Sequence, residues 1–395
     1  MIFHLREAFN KRFSESSYQL LLKRLDGICG THVDFRVSET PCFIPKPLLE
    51  LMARGGEEIV MQLISNPGYI KASERAIPQE FNVPNESAHP LFVAVDFGIV
   101  RTPEGGYAAK LIEMQGFPTL FGFQVVLSQQ YREVYGLPHE LRFLLSGLTL
   151  DEYSGLVRKA ILGDHTPEHV VLMELDPLKQ KTRPDFILTD RMCGTVTVNI
   201  REILKEGRRL FYMRQGKKTE IRRIYNRAIV DELVRSGATL PFSFRDELEV
   251  EWAGHPNWFF RLSKFSLPYV KHETVPKSHF LNRLTAMPED LHNWVLKPLY
   301  SFAGSGVIIS PSREDIDAVP EEKRADYVLQ ERIEYSPVIE TPHGGTKIEV
   351  RLLYFWFERP MAVATLIRMG RGKMMGVDFN KNMAWVGSSA GFFLE

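Results

Sequence analysis

Two strand-like segments joined by a short turn constrain the fold of this chain most. The segments LFVAVDFGIV and YAAKLIEMQ are rich in β-branched and aromatic residues, and RTPEGG lies between them. Glu104 and Gly105 predict a two-residue hairpin turn. In that register Asp96 lies directly opposite Glu113, and Gln115 lies on the same face one pair further along.

The two acids of this hairpin need compensation. Opposed side chains in such a ladder have Cβ atoms about 4.5–5.5 Å apart, and like charges at that position destabilise the pair. A divalent cation held by Asp96, Glu113 and the amide oxygen of Gln115 would supply it, and Mg²⁺ accepts such oxygen ligands together with phosphate oxygens. The alternative is a solvated hairpin face with both carboxylates in water.

A lysine followed by a loop of small residues marks a second candidate site. Lys297 stands in the apolar strand of WVLKPLYSFAGSGVIIS, where a charge requires a partner such as a phosphate. The loop offers backbone N–H groups at Ser301, Gly304, Ser305 and Gly306. The lysine precedes the glycines, so this is not a Walker A motif, and an edge-strand lysine before an ordinary hairpin remains the alternative.

Further downstream, DYVLQERIEY places Gln330 and Glu331 after a short apolar strand, which is the arrangement of a nucleotide hinge or of a simple amphipathic strand. Charged residues also alternate along the last strands. Arginines in a dry site could stabilise a phosphoryl group in transfer, although each could equally form a surface ion pair. These residues are Glu349, Arg351, Arg368 and Arg371.

Periodicity divides the chain into four regions of an α+β protein. Helical spacing predicts a helical N-terminal region over 1–85, with Pro45 and Pro47 opening its second long helix. The hairpin region follows over 86–135. Alternating helices and strands over 136–250 predict an α/β unit with a parallel pair. The strand-rich remainder, 251–395, includes WVLKPLY, GVIIS, YVLQERI, KIEVRLLYFWFE, MAVATLIRM and KMMGVDF.

Composition excludes several classes of partner. Forty-nine basic residues balance forty-nine acidic ones, so we expect no nucleic-acid or membrane partner. Three cysteines without CxxC spacing (Cys29, Cys42 and Cys193) argue against a disulfide framework and against structural zinc. They favour the reducing cytoplasm. No long apolar run is present, so we expect neither secretion nor a membrane span.

These motifs together resemble the circularly permuted ATP-grasp family, specifically the synthetase domain of glutathionylspermidine synthase. That family has an Asp on one strand and an E-x-N pair on the next, ahead of its lysine and Gly-rich segments. The resemblance assigns Asp96, Glu113 and Gln115 to the metal, although Gln115 replaces the family's Asn. Convincing similarity covers about residues 90–125 and 270–395.

Two nucleotide lysines follow from the same resemblance. The family's first lysine precedes a helix reading like NK-x-LLP-x-L and is matched to Lys277 in VPKSHFLNRL. The second, in a strand reading like V-x-KP-x-x-G-x-x-G, is matched to Lys297. The hinge falls on Gln330 and Glu331, and the late phosphate-binding arginine falls on Arg368.

The resemblance implies an ATP- and Mg²⁺-dependent ligase that joins a carboxylate to an amine, or to a thiol, through an acyl phosphate. Lys297 and Arg368 would be its catalytic residues, and the acid would be a small molecule or a peptide. Two alternatives remain open: a non-catalytic nucleotide-binding or interaction protein with this fold, and a phosphotransferase acting on a hydroxyl.

RRIYNRAIVDEL carries a separate hypothesis. Arg222, Arg223 and Arg227 could recognise an anionic substrate, or they could belong to a charged amphipathic segment. His165 and His169 in GDHTPEH are interpreted as loop residues before a strand and not as metal ligands.

Overall fold

The computed structural model describes residues 1–299, 306–372, 374–376, 380 and 382–395. Its α-helices are α1 (Phe3–Arg12), α2 (Glu15–Cys29), α3 (Lys46–Ile64), α4 (Pro67–Ser73), α5 (Phe121–Tyr135), α6 (Leu150–Leu162), α7 (Arg183–Cys193), α8 (Val230–Arg235), α9 (Asn257–Arg261) and α10 (Arg313–Asp317). None of the described helices is long and apolar enough to cross a bilayer.

The described strands fall into five sheets. They are β1 (Cys42–Phe43), β2 (Phe92–Arg101), β3 (Tyr107–Gln115), β4 (Leu141–Arg142), β5 (Val170–Glu174), β6 (Val196–Asn199), β7 (Leu204–Glu206), β8 (Arg209–Arg214), β9 (Lys217–Ile221), β10 (Arg223–Asn226), β11 (Glu251–Trp252), β12 (Ser278–Phe280), β13 (Trp294–Pro298), β14 (Ile308–Ile309), β15 (Tyr327–Glu331), β16 (Lys347–Trp356), β17 (Pro360–Gly370), β18 (Gly387–Ser389) and β19 (Gly391–Leu394).

Two antiparallel sheets position the candidate site. The central sheet has the strand order β18-β17-β16-β2-β3, and the small sheet has the order β12-β15-β13-β14. The remaining sheets are a parallel sheet (β11-β10-β5-β6), a meander (β7-β8-β9) and a terminal sheet (β1-β19-β4). The mixed helical and sheet content confirms the expected α+β class.

The predicted hairpin is present, but its turn is not the predicted one. Arg101 pairs with Tyr107, so five residues connect the strands instead of two. A β-bulge at Ile112 then shifts the register by one residue and brings Asp96 opposite Glu113. The expected pairing of Asp96 with Glu113 is therefore confirmed, although it results from a five-residue turn and a bulge and not from the predicted two-residue turn.

One face of the central sheet is apolar, and the other face changes from apolar to polar along its strands. On the first face, β2 contributes Val93, Val95 and Phe97 to a core that also contains the buried face of α3. On the second face, Phe92 and Ala94 pack into a different core with residues of α2, α5, α6 and α7. Period-2 alternation continues this second face into Asp96, where the apolar cover ends.

The N-terminal helices are tied to the end of the chain. β1 pairs in parallel with β19, and β19 also pairs with β4. The long helices α2 and α3 form where the periodicity predicts them, with Pro45 capping α3 and Pro47 as its second residue. Contacts between α2 and α5 join this region to the middle of the chain.

The α/β unit contains the predicted parallel pair, β5 and β6. The sequence did not predict β10, which lies within RRIYNRAIVDEL and pairs in parallel with β5. It also missed the meander of β7, β8 and β9. The prediction of a strand over KMMGVDF is wrong at its described residues. Met374, Met375 and Gly376 lie outside any strand.

Candidate active site

A cavity of about 1000 Å³ lies between the polar half of the central sheet and the small sheet. Six of the predicted site residues line it. They are Glu113, Gln115, Lys297, Gln330, Glu331 and Arg368. The cavity therefore brings together side chains from β3, β13, β15 and β17, which are far apart in the sequence.

The cavity wall carries more positive than negative charge. Among the residues that the structure describes, seven cationic side chains line the cavity, namely Lys181, Lys264, Lys297, Arg332, Lys347, Arg351 and Arg368, and four acidic ones do so, namely Glu113, Glu331, Glu334 and Glu349. These described residues give the wall an excess of three positive charges, whereas the whole chain is formally neutral. Such a concave cationic surface favours a polyanionic ligand.

Asp96 lies under this wall and is paired with two arginines. Its side chain is only 1% exposed. Arg351 lies directly across the ladder and binds it in a bidentate manner, with Nε–Oδ1 and Nη2–Oδ2 distances of 2.5 and 2.6 Å. Arg368 donates a third hydrogen bond, 3.0 Å, to Oδ2. Burial opposes ionisation of Asp96, but both guanidinium groups hold its pKa below the ordinary value.

Glu349 forms the other side of this ion-pair cluster. It pairs with Arg368 across the ladder, and Arg368 Nη1 lies 2.7 Å from its Oε1. Tyr335 donates a 2.8 Å hydrogen bond to its other oxygen. Burial raises the pKa of Glu349, and the nearby Asp96 and Glu113 act in the same direction. Cross-strand pairing therefore accounts for the Asp96–Arg351 and Glu349–Arg368 pairs.

Glu113 and Gln115 face the cavity beside this cluster. Gln115 donates a 2.9 Å hydrogen bond to Glu113, and Arg351 Nη2 lies 3.7 Å from the same carboxylate. The two acids of the hairpin are thus compensated by guanidinium groups, whereas the sequence predicted a divalent cation between them.

Lys297 is held at the cavity by the neighbouring strand. Its ammonium donates to Oε1 of the buried Gln330 and approaches the carbonyl of Ile112 at 3.5 Å. Burial lowers the pKa of Lys297 to about 8, with Glu113 opposing the shift and Lys264 adding to it. Gln330 therefore acts here as a support for the lysine, whereas the sequence suggested a nucleotide hinge.

The sequence prediction missed a second cavity lysine, Lys264. It lies in SKFSLPYV, and this segment matches the pattern NK-x-LLP-x-L at its lysine, at Leu267 and at Pro268. A 3₁₀ helix begins at this lysine, with Ser263 as its cap. Burial lowers the pKa of Lys264, while Glu113 raises it. The pattern itself was the signal that could have identified this residue.

Lys277, the residue that the sequence matched to that pattern, lies elsewhere. It is exposed, does not line the cavity and precedes β12 instead of a helix. Its backbone carbonyl accepts a 2.8 Å hydrogen bond from the N–H of Glu331. Lys277 therefore supports the end of β15 through its backbone.

The hinge segment continues past β15 along the cavity. The N–H groups of Glu331 and Arg332 donate to the carbonyls of Lys277 and Asn293. The next residues, Ile333 and Glu334, also line the cavity. The predicted backbone contact with an adenine edge would therefore move to these two residues, three positions after Gln330 and Glu331.

The structure describes only one of the four residues that were predicted to form the phosphate loop, Gly306. Ser301, Gly304 and Ser305 lie outside the described residues. Gly306 precedes β14 with a φ of 69°, and a Cβ there would lie 3.1 Å from Pro298. It does not line the cavity. Its role in the loop stays a prediction.

The three arginines of RRIYNRAIVDEL have protein partners. Arg222 pairs with Glu220, and Arg223 pairs with Glu251 while donating to backbone carbonyls of α6. Arg227 is buried against Asp185 at 2.5 Å. These contacts favour the structural alternative over recognition of an anionic substrate.

Asp185 and the two histidines of GDHTPEH also make structural contacts. Asp185 accepts hydrogen bonds from the first N–H groups of α5. His165 lies 3.3 Å from Glu251, and His169 lies 2.8 Å from the carbonyl of Glu220. Both histidines thus have protein partners.

The donor set suits a divalent cation only in part. Glu113 and Gln115 offer a carboxylate and an amide oxygen to the cavity, the hard oxygen donors that Mg²⁺ uses. Asp96 has both oxygens engaged by guanidinium groups and does not line the cavity. Among the described residues, no group of three His, Cys, Asp or Glu side chains could hold a metal ion.

Comparison with known proteins identifies a solved structure with a similar fold. No protein family and no curated protein matches the sequence. Among solved structures, the chain is similar to a glutathione synthetase-like effector from Globodera pallida in its apo form, with a TM-score of 0.60 over 95% of this chain and 97% of that chain. The chain has a glutathione synthetase-like fold. Because the sequences are only 12% identical, this likeness extends to the fold alone.

Proposed function

We propose that the chain is an ATP-dependent ligase that joins a carboxylate to an amine, or less favourably to a thiol, through an acyl phosphate. One observation carries this proposal: two antiparallel sheets enclose a cationic cavity in which two lysines and two arginines lie together. These are Lys264, Lys297, Arg351 and Arg368. The glutathione synthetase-like fold supports the same class of reaction.

The circularly permuted arrangement and a cytoplasmic location are parts of this proposal. The acids of β2 and β3 precede Lys297 in the chain, which supports the permuted order. All three cysteines are buried free thiols, a state that suits a reducing compartment such as the cytoplasm.

In this mechanism the protein mainly positions and neutralises charge. Lys297 and Lys264 bind phosphate oxygens of ATP, and Ile333 and Glu334 meet its base. The substrate carboxylate attacks the γ-phosphoryl group, while Arg368 stabilises the charge on the transferring group and on the acyl phosphate. An amine then displaces phosphate to give an amide, ADP and phosphate.

Glu113 and Gln115 are the side chains that would hold Mg²⁺. A bound Mg²⁺ neutralises phosphate charge and fixes the geometry of the triphosphate. The position of Glu113, between Gln115 and Arg351, orients its carboxylate for this purpose.

Product analysis tests the proposed function. The purified protein is incubated with ATP, Mg²⁺ and a panel of carboxylates and amines, and ADP, phosphate and amide are quantified. We expect ADP formation that requires both a carboxylate and an amine, and that is lost in Lys297→Ala. Phosphate retained on a hydroxyl product would indicate a phosphotransferase instead.

A non-catalytic nucleotide-binding protein is the second candidate, and one observation favours it. The acids of the hairpin are already neutralised by Arg351 and Arg368, so the folded site needs no metal to balance them. Stable ATP binding without ADP formation across the substrate panel would select this candidate.

A further inference from the structure

The ion-pair cluster around Asp96 holds two guanidinium groups side by side. Asp96 binds Arg351 through two hydrogen bonds and Arg368 through a third. Glu349 holds the other Nη of Arg368. Each arginine is therefore fixed by a carboxylate on a neighbouring strand, and little side-chain entropy remains to be lost when a ligand binds.

Both arginines line the cavity wall, Arg368 more openly than Arg351. The side chain of Arg368 is 22% exposed and that of Arg351 is 9% exposed. Asp96, by contrast, is 1% exposed and lies behind them. A ligand entering the cavity thus meets the guanidinium groups and not the carboxylate that orients them.

The local charge balance favours an anion. Three carboxylates, Asp96, Glu113 and Glu349, face two arginines of the cluster. Lys264 and Lys297 lie on the same cavity wall and interact electrostatically with Glu113, and Asp231 acts on Lys264 as well. Over the described cavity wall as a whole, seven cationic side chains exceed the four acidic ones and the buried Asp96 without any metal ion. Guanidinium groups also match the geometry of phosphate oxygens.

We propose that Arg351 and Arg368 form a metal-independent oxyanion site for phosphate-type groups, and that Asp96 is its positioning residue and not a metal ligand. The inference uses the proposed function only to locate the site. It predicts that a polyphosphate binds this cavity without divalent cations, and that loss of the Asp96 charge weakens this binding while the metal affinity is retained.

Calorimetry with inorganic triphosphate in excess EDTA tests the site directly. We expect measurable binding to the wild type, and binding that is about tenfold or more weaker in Asp96→Asn, Arg351→Lys and Arg368→Lys, because hydrogen bonds to charged groups are each worth about 1.5–3 kcal/mol. Arg359→Lys is the matched control, since Arg359 is 78% exposed and pairs with Glu57 on the surface. It should bind as the wild type does.

A metal readout separates positioning from ligation. Binding of Mn²⁺ in the presence of triphosphate is followed by electron paramagnetic resonance. We expect the Mn²⁺ midpoint to stay within about threefold of the wild type in Asp96→Asn, and to rise about tenfold or more in Glu113→Gln, the range seen when metal-site groups are lost.

Three results would overturn the inference. The first is no triphosphate binding by the wild type in EDTA. The second is triphosphate binding in EDTA that is unchanged in all three site variants. The third is an Asp96→Asn protein whose Mn²⁺ midpoint rises as far as that of Glu113→Gln. If Asp96→Asn does not fold, the two Arg→Lys variants decide the question, because they keep every charge. Absence of amide formation would refute only the proposed function.

Discussion

Lys297 has an ammonium group on the cavity wall and a pKa of about 8, well below its ordinary value. Between pH 7 and pH 9 the group therefore loses its charge. A bound polyphosphate would raise this pKa again, so binding takes up protons in this range.

We expect triphosphate affinity to fall as the pH rises through 8, and this dependence to flatten in Lys297→Arg, because an arginine stays protonated. Calorimetry at several pH values, in buffers of different ionisation enthalpy, measures both affinity and proton uptake. Parallel pH curves for the wild type and for Lys297→Arg would contradict the assignment of Lys297 to the anion.

The lowered pKa of Lys297 also affects the stability of the folded protein, which rises with pH where the affinity for triphosphate falls. The folded pKa lies below the unfolded value of 10.5, so above pH 8 the unfolded state holds more protons at this site. The destabilising effect of a buried ammonium is therefore largest below pH 8 and is relieved as the pH rises towards 10.5. Binding and stability thus depend on Lys297 in opposite ways.

Arg227 is expected to matter for stability and not for ligand affinity. It forms a buried ion pair with the fully buried Asp185, so Arg227→Ala leaves an uncompensated carboxylate and should cost about 3–5 kcal/mol. Arg222→Ala removes an exposed pair with Glu220 and should cost about 0–1 kcal/mol. Urea denaturation measures both values, and equal losses would refute the distinction.

At the scale of elements, the sequence identified most of the strands and helices that build the site. The pairing of Asp96 with Glu113 was predicted, but the five-residue turn and the bulge at Ile112 were not. A bulge leaves no clear mark in a single sequence, because Ile112 suits a strand with either register.

Other elements could not be identified because their stability comes from distant partners. β10 is a four-residue strand beginning at Arg223, and its polar flanks obscure any strand pattern. It forms because β5 and β11 flank it on both sides. The guanidinium partners of Asp96 were recognised as candidates, but no local pattern assigns Arg351 to Asp96, 255 positions away.

Gly56 tests the packing of α3 against the central sheet. A Cβ at this position would lie 2.1 Å from the hydroxyl of Tyr354, which itself donates to the carbonyl of Ala53. We expect Gly56→Ala to destabilise the protein by about 1–3 kcal/mol through overpacking.

Gly27 is the control for this substitution. It lies in the exposed part of α2, and a Cβ there meets nothing within 4 Å. Gly27→Ala should therefore stabilise the protein by about 0.5–1 kcal/mol through helix propensity. Thermal denaturation of both variants would show opposite shifts, and a neutral Gly56→Ala would disprove the close approach.

At the scale of the whole molecule, the terminal sheet joins residues from the two ends and the middle of the chain. Phe392 pairs with Phe43, contacts Phe143 and is fully buried. The N-terminal helices therefore share a core with the last strand. The sequence placed these segments in separate regions, because a pairing between ends leaves no periodic signal.

Phe392→Ala should destabilise the protein by about 3–5 kcal/mol, since it removes a fully buried ring from this shared core. Phe3→Ala is the matched control, because Phe3 is 69% exposed, and it should lie within about 0.5 kcal/mol of the wild type. Chemical denaturation gives both values. A small loss in Phe392→Ala would show that the terminal sheet contributes little to global stability.

The central sheet also sets the order in which a growing chain can fold on the ribosome. β2 and β3 are synthesised well before β16 and β17. Until Arg351 and Arg368 leave the exit tunnel, Asp96 and Glu113 repel each other without their cationic neighbours. We therefore expect the nascent hairpin to be weakly formed until then, and the ligand cavity to appear only after β16 and β17 have been synthesised.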